Sequence, residues 1–222
     1  MKGYRDKLRK NKYLRWLLLI SSWMFQGIIN ADRTEKVYCL LFTIIFTIIF
    51  YFSLSSINDV IIRFFLSFII AHTLNWLINV NINSILIHRL FLKKLSKSNL
   101  FRYLESLDKR LNEKNWLLYS AVFGSICRGT LKDSSDLDVS LVRKPGFIRA
   151  LKGLFFITCE KKIADFKSIP LEIYLNDLPE SSIERFKAEK NPLILKDPSN
   201  IISRYYDEYL TLSEAKSLNN IE

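Results

Sequence analysis

The sequence predicts an α+β protein: a small mixed-sheet domain preceded by an α-helical transmembrane hairpin. Three observations carry that expectation. Residues 37–80 form two long apolar runs whose only charges are Asp59 and Arg63. Lysines and arginines crowd both flanks of those runs. Beyond residue 98 the apolar pattern alternates between helical and strand periods.

Composition narrows the class before any motif is read. Of 222 residues, 49% are apolar, 14% aromatic and 25% charged, which excludes a disordered chain and one wholly buried in lipid. Cys39, Cys127 and Cys159 form no CxxC pair and cannot supply a four-cysteine zinc site. So sparse and odd a set suits a reducing compartment around the soluble part.

The net charge of +11 is unevenly placed. Residues 1–36 carry nine basic and three acidic side chains, and residues 81–115 carry eight and three. Residues 116–222 carry fifteen of each, so the folded part is neutral. A duplex-binding domain would hold its basic face on that folded part. The distribution instead follows the positive-inside rule for a membrane protein facing the cytoplasm.

Val37 to Asn58 is uncharged and, as a helix, spans about 33 Å, enough for a hydrocarbon core of roughly 30 Å. A polar break at Ser55, Ser56, Asn58 and Asp59 is followed by a second run over residues 60–80. The break is too short for a folded extracellular domain. The expectation is a multi-pass protein of the cell membrane with both termini cytoplasmic. Arg63, one turn from the break, snorkels to the headgroups. The competing reading is a helical hairpin buried in a soluble globule. A cleaved signal peptide is disfavoured, because the run starts late and lacks an A-x-A site.

Residues 1–36 form a basic cytoplasmic or interfacial segment. Within it, residues 13–29 are apolar but short, with Trp16 and Trp23. They read either as a helix lying along the cytoplasmic leaflet or as a short third membrane segment. In the first case Lys2, Arg5, Lys7, Arg9, Lys10, Lys12 and Arg15 face anionic membrane lipids. Residues 81–97 read as a basic juxtamembrane helix, with Ile82, Ile85, Leu86, Arg89, Lys93 and Lys94. His72 reads as a helix-interface residue and His88 as a membrane-surface one; neither has a metal-ligand partner one turn away.

The domain proper runs over residues 98–198, with a helical or loose tail over 199–222. Leu100, Leu104, Leu107 and Leu111 mark a helix over 98–113. Trp116–Phe123 is a buried strand ending in Gly124-Ser125. Ten residues later comes Asp136-Leu137-Asp138-Val139-Ser140-Leu141, a strand with both aspartates on one face and Leu137, Val139 and Leu141 on the other. Residues 147–166 form a helix with Phe147, Leu151, Leu154, Phe155 and Thr158 on one side. A strand follows over 170–175, with Glu172 pointing away from Leu171, Ile173 and Leu175. Residues 180–189 are expected to be helical and residues 192–196 a short last strand.

The segment FGSICRGTLKDSSDLDVSL resembles the nucleotidyltransferase superfamily, which includes polymerase-beta-like enzymes and minimal nucleotidyltransferases. The likeness rests on Gly124-Ser125, Arg128-Gly129, Ser134-Ser135, the Asp136–Asp138 spacing and a carboxylate on a later strand. It covers roughly residues 98–198. The resemblance implies that Asp136, Asp138 and Glu172 are catalytic metal ligands for Mg2+, although the superfamily more often has Asp at the third place. It implies that Gly124, Ser125 and Arg128 bind a nucleoside triphosphate, Ser125 opening a helix whose N-terminus favours anions. Lys132, Arg143 and Lys144 are further basic candidates.

The chemistry suits those residue types. Nucleotidyl transfer loads negative charge on the α-phosphate and the departing pyrophosphate, and Mg2+ held by carboxylates neutralises it. Two carboxylates at i and i+2 of a strand present hard oxygen ligands on one rigid surface. Asp133 and Asp165 read as surface residues. Cys127 has no base partner and is not assigned as a nucleophile.

The soluble part is barely a catalytic core and has no further domain for nucleic acid, so a templated polymerase is not expected. The leading expectation is transfer of an NMP from an NTP to a membrane-proximal acceptor, a lipid or envelope-glycan precursor. The alternatives are an antitoxin-like enzyme that modifies a partner protein and a catalytically silent nucleotide-binding scaffold.

Overall fold

The computed structural model describes residues 11–26, 28, 31–89 and 94–221. The basic residues Lys2, Arg5, Lys7, Arg9, Lys10 and Lys93 lie outside the described residues. So do the side chains of Lys12, Arg15, His88 and Arg89. The chain is mixed α and β: apolar N-terminal helices followed by a four-stranded mixed sheet with helices around it.

Helix α1 (Lys12–Phe25) is followed by two long helices, α2 (Arg33–Ser53) and α3 (Val60–Asn79). The first of these begins four residues before the apolar run. Its first turn is fastened to the sheet domain. Thr34 donates to Asp177 at 2.6 Å, and Asp32 accepts the Asp177 N–H at 2.9 Å. Asp59 caps α3 by accepting from the N–H groups of Ile61 and Ile62. Both long helices are long and apolar enough to cross a bilayer. Most of their surface is uncovered, with Leu40, Ile44, Ile48, Phe52, Ile61 and Phe65 all exposed. That is unlike the core hairpin of a soluble globule, which buries such side chains.

Several polar groups inside the hairpin are paired. Asn75 donates to the Cys39 carbonyl at 2.9 Å and to Thr43 at 2.8 Å, bridging α3 to α2. Arg63 donates to the Tyr51 hydroxyl at 3.1 Å and lies over its ring. Helix α1 packs on the last turns of α3. There Trp23 donates to Thr73, Gln26 donates to the His72 carbonyl, and His72 meets the Trp23 ring edge-on. His72 is thus an interface residue.

A π-helix, Ser84–Arg89, follows α3 where an ordinary helix was expected. Ile85 and Ile87 anchor it by full burial. Asp165 clamps its start, accepting from the Asn83 N–H at 3.0 Å and from Lys162 at 2.6 Å. Asp165 is therefore a structural clamp and not the surface residue its sequence context suggested.

The domain begins with α4 (Lys97–Asn112), capped by Ser96, with Leu100, Leu104, Leu107 and Leu111 all fully buried. The sheet is β1 (Leu117–Phe123), β2 (Leu137–Arg143), β3 (Leu171–Asn176) and β4 (Leu193–Lys196), in the order β3-β2-β1-β4. β1 is antiparallel to β2 and β4, and β2 is parallel to β3 through the crossover helix α5 (Phe147–Phe166). The main core lies between the sheet and helices α4 and α5. A smaller cluster on the other face stacks Phe186 flat on Phe123, ring centres 4.1 Å apart. Buried Glu160 of α5 is paired with Arg110 at 2.6 Å and accepts from Tyr103 at 3.0 Å, locking α4 to α5.

Helix α6 (Pro179–Phe186) ends three residues earlier than the expected 189. Phe186 is held by its stack on Phe123, and the Glu189 N–H turns back to its carbonyl at 2.8 Å. The tail is built into the domain. Helix α7 (Leu212–Leu218) opens with a Thr211–Glu214 capping box, buries Ala215 in the main core, and is followed by Asn219 donating to the Ile126 carbonyl at 2.8 Å.

Candidate metal and nucleotide site

The site forms at the edge where β1 ends and β2 begins. A turn over Lys132–Ser135, closed by the Lys132 N–H to the Ser135 hydroxyl at 2.9 Å, delivers Asp136 to the start of β2. Asp138 follows two residues on, on the same face. In the parallel pair, Asp138 is the register partner of Glu172. A carboxylate from each strand is therefore brought side by side by register alone. One oxygen from each of Asp136, Asp138 and Glu172 lies within 4.8 Å of the others. That separation and that all-oxygen donor set fit a hard divalent cation such as Mg2+.

The cluster is electrostatically tense. Burial pushes the Asp138 carboxyl well above its ordinary value, and the neighbouring charges of Asp136, Glu172 and Glu189 push the same way. Arg128 opposes them weakly. Glu172 is held from two sides: Tyr174 donates to Oε2 at 2.7 Å and Ser84 donates to Oε1 at 3.0 Å. Burial, with the neighbouring Glu172 charge and the hydrogen bond to it, raises the Tyr174 phenol far above its usual range.

Gly124 shapes the other wall. Its φ is +92°, and a Cβ there would stand 3.0 Å from Asp138 Oδ2. Only glycine combines that backbone with that approach. Ser125 follows with a buried hydroxyl that has no hydrogen-bond partner among the described residues. The helix expected to open at Ser125 does not form. The chain makes one turn, and Gly129, at φ +66°, ends it as the Thr130 N–H returns to the Ser125 carbonyl at 3.0 Å. A Cβ on Gly129 would clash with Leu218, so α7 seals this turn.

Arg128 is close enough to act on Asp138 electrostatically, but its guanidinium is ion-paired with Glu189. Arg143 stands at the far end of β2, paired with Asp177 at 2.9 Å and joined to Thr34. It therefore fastens α2 to the sheet and is no part of this site, and Lys144 follows it there, its N–H bonded to the Trp116 carbonyl. Lys132 lies in the turn before Asp136, exposed. Asp133 is exposed, near Lys94. Cys127 is buried and donates to the Val122 carbonyl at 3.2 Å; burial pushes its thiol up to about 12, which leaves it without thiolate at neutral pH.

Three contributors went unread in the sequence. Tyr174 sits two residues from Glu172 on the same strand face, so its place was implicit in the strand period. Ser84 and Glu189 arrive from distant segments, with no local signal. A cavity of about 110 Å3 also adjoins Glu172, between β3 and the ends of α1–α3 nearest the sheet, lined among others by Glu35, Lys161, Gln26, Asn81 and Ser84. Gln26 Oε1 is buried there without a partner among the described residues.

A scan against protein-family models finds no match for this chain, and a search of the curated proteins finds no relative.

Proposed function

We propose that the protein is a membrane-anchored, Mg2+-dependent nucleotidyltransferase that moves an NMP from an NTP to an acceptor held at the membrane surface. The observation that carries the reading is the convergence of Asp136, Asp138 and Glu172 within 4.8 Å, beside a glycine at φ +92° that Asp138 approaches closely. In this reading Asp136, Asp138 and Glu172 hold Mg2+, which supplies charge neutralisation at the α-phosphate. The small mixed sheet is then a nucleotidyltransferase fold, and α2 and α3 are its transmembrane hairpin with both termini cytoplasmic.

The steps assigned to this chain follow from its residues. Gly124 lets the phosphates approach the backbone, and the unpartnered Ser125 hydroxyl donates to a phosphate oxygen. Arg128 exchanges Glu189 for the triphosphate. An acceptor hydroxyl or phosphate oxygen, entering by the cavity beside Glu172, attacks the α-phosphorus. The α–β phosphoanhydride breaks, pyrophosphate leaves, and Glu172 takes the proton of an acceptor hydroxyl. The exposed apolar hairpin favours an acceptor carried on a lipid over one in solution.

The test is full-length protein in lipid nanodiscs with α-labelled NTPs, Mg2+ and a total membrane-lipid extract. Label should pass into the lipid-extractable fraction with release of pyrophosphate. Asp136→Asn and Asp138→Asn should each lower that rate by about 100-fold or more. Equal rates in wild type and both variants refute the site. Label on protein instead of lipid replaces the acceptor with a partner protein.

A further inference from the structure

Helix α5 has two apolar faces, and the fold uses only one. The inner face buries Ala150, Leu154, Phe156, Ile157 and Ala164 against the sheet and α4. The outer face leaves Phe147 at 74%, Ile148 at 62%, Leu151 at 45% and Phe155 at 73% exposure. A helix at a water-facing surface puts polar side chains there.

The position of that outer face follows from its continuation. At 3.6 residues per turn, Phe147, Ile148, Leu151, Phe155, Thr158 and Lys162 share an arc of about 100°. Thr158 of this stripe donates to Asn79 at 3.1 Å. Lys162 donates at 2.8 Å to the carbonyls of both Leu77 and Val80, where α3 ends. The stripe that receives the end of the hairpin is therefore the stripe that continues, uncovered, toward Phe147. Charge agrees with a lipid surface: Lys152 stands beside the uncovered part, Lys144 precedes it, and residues 144–155 contain no Asp or Glu.

We infer that α5 is itself a membrane contact, lying in the headgroup region with Phe147, Ile148, Leu151 and Phe155 in the upper acyl boundary and its basic residues among anionic headgroups. This rests on reading α2 and α3 as membrane spans. Because α5 connects β2 to β3, the strands of Asp138 and Glu172, the contact holds the carboxylate site at a set height beneath the bilayer.

The experiment uses the full-length chain with Cys159→Ser, leaving buried Cys39 and Cys127, in nanodiscs of phosphatidylcholine and phosphatidylglycerol. An environment-sensitive fluorophore is attached through Phe155→Cys, Ile45→Cys or Ser213→Cys in separate samples. Lipids carry a spin-label quencher either near the headgroup or deep in the acyl chain, and iodide quenches from water. The expected result is loss of signal at 155 by the shallow quencher, at 45 by the deep quencher, and at 213 by iodide alone. Lipid quenching at 45 with iodide quenching at 155 overturns the α5 contact while leaving the hairpin spans. Protection of 155 from both lipid quenchers and iodide also overturns it, in favour of a protein partner. Absence of lipid quenching at 45 overturns the spans, and the α5 contact with them.

Discussion

Ser84 donates a 3.0 Å hydrogen bond to Oε1 of Glu172, joining the segment that leaves the apolar hairpin to a carboxylate of the candidate site. The two residues are 88 positions apart in sequence. Ser84 lies in a π-helix whose start is clamped by Asp165 of α5, so its hydroxyl is presented by a fixed backbone. The segment that follows the apolar helices therefore helps to orient the site.

Removing that donor should loosen Glu172 without unfolding the domain. Ser84→Ala is expected to lower turnover by about tenfold, the rate equivalent of a hydrogen bond to a charged group worth roughly 1.5 kcal/mol. Ser84 is a positioning residue, so the decisive readout is the pH profile. With one donor fewer, the Glu172 carboxylate is less stabilised and the acidic limb should move to higher pH. Ser84→Thr should restore both rate and profile. An unmoved acidic limb in the alanine variant would assign Ser84 a purely structural role.

Gly124→Ala should be costly in two ways at once. The backbone at φ +92° strains any L side chain, by about 1–3 kcal/mol. The new methyl would also press on Asp138 Oδ2. The expected outcome is a domain destabilised by that amount under urea and Mg2+-dependent turnover reduced more than tenfold. Circular dichroism separates the two effects, since a folded but inactive variant isolates the steric one.

The carboxylate cluster should weaken the metal-free protein as pH rises. Asp138 has its folded-state pKa raised above the ordinary 3.8, so the folded state holds its proton more tightly than the unfolded chain does. That stabilising contribution is complete below the ordinary value and is lost as pH climbs through the raised one. Without metal, Asp138→Asn should therefore melt at a higher temperature than wild type at pH 7.5, and the gap should close near pH 4. Mg2+ should raise the wild-type melting temperature at pH 7.5 and leave the variant little changed. A variant that melts below wild type at pH 7.5 without metal would show that the aspartate is not under this repulsion.

The hairpin, the strand carrying the paired aspartates and the crossover helix were legible because each is a local pattern. Long uncharged runs record a continuous apolar helix in residue order, and alternation of period two and leucines at helical spacing record burial there. The helix over 147–166 was legible too, but the side expected to carry Phe147, Leu151, Leu154, Phe155 and Thr158 together is not one face. Helical periodicity shows that residues share a side and is silent on what that side meets. α5 splits the expected set: Leu154 turns with Ile157 toward the sheet, while Phe147, Leu151 and Phe155 stay exposed. The missing helix after Ser125 is a similar case: Gly129 ends the turn because α7, from the far end of the chain, leaves no room for a Cβ.

By itself, the order of residues determined which groups are acidic, which segments are apolar and which side chains share a strand face, since these follow from backbone geometry within one element. The tertiary structure alone decided that Asp138 pairs in register with Glu172, that Ser84 reaches that glutamate, and that Arg128 is paired with Glu189. Each of those depends on strand register or on packing between segments distant in sequence. Such contacts are set by the closure of the whole core, and no local period encodes them.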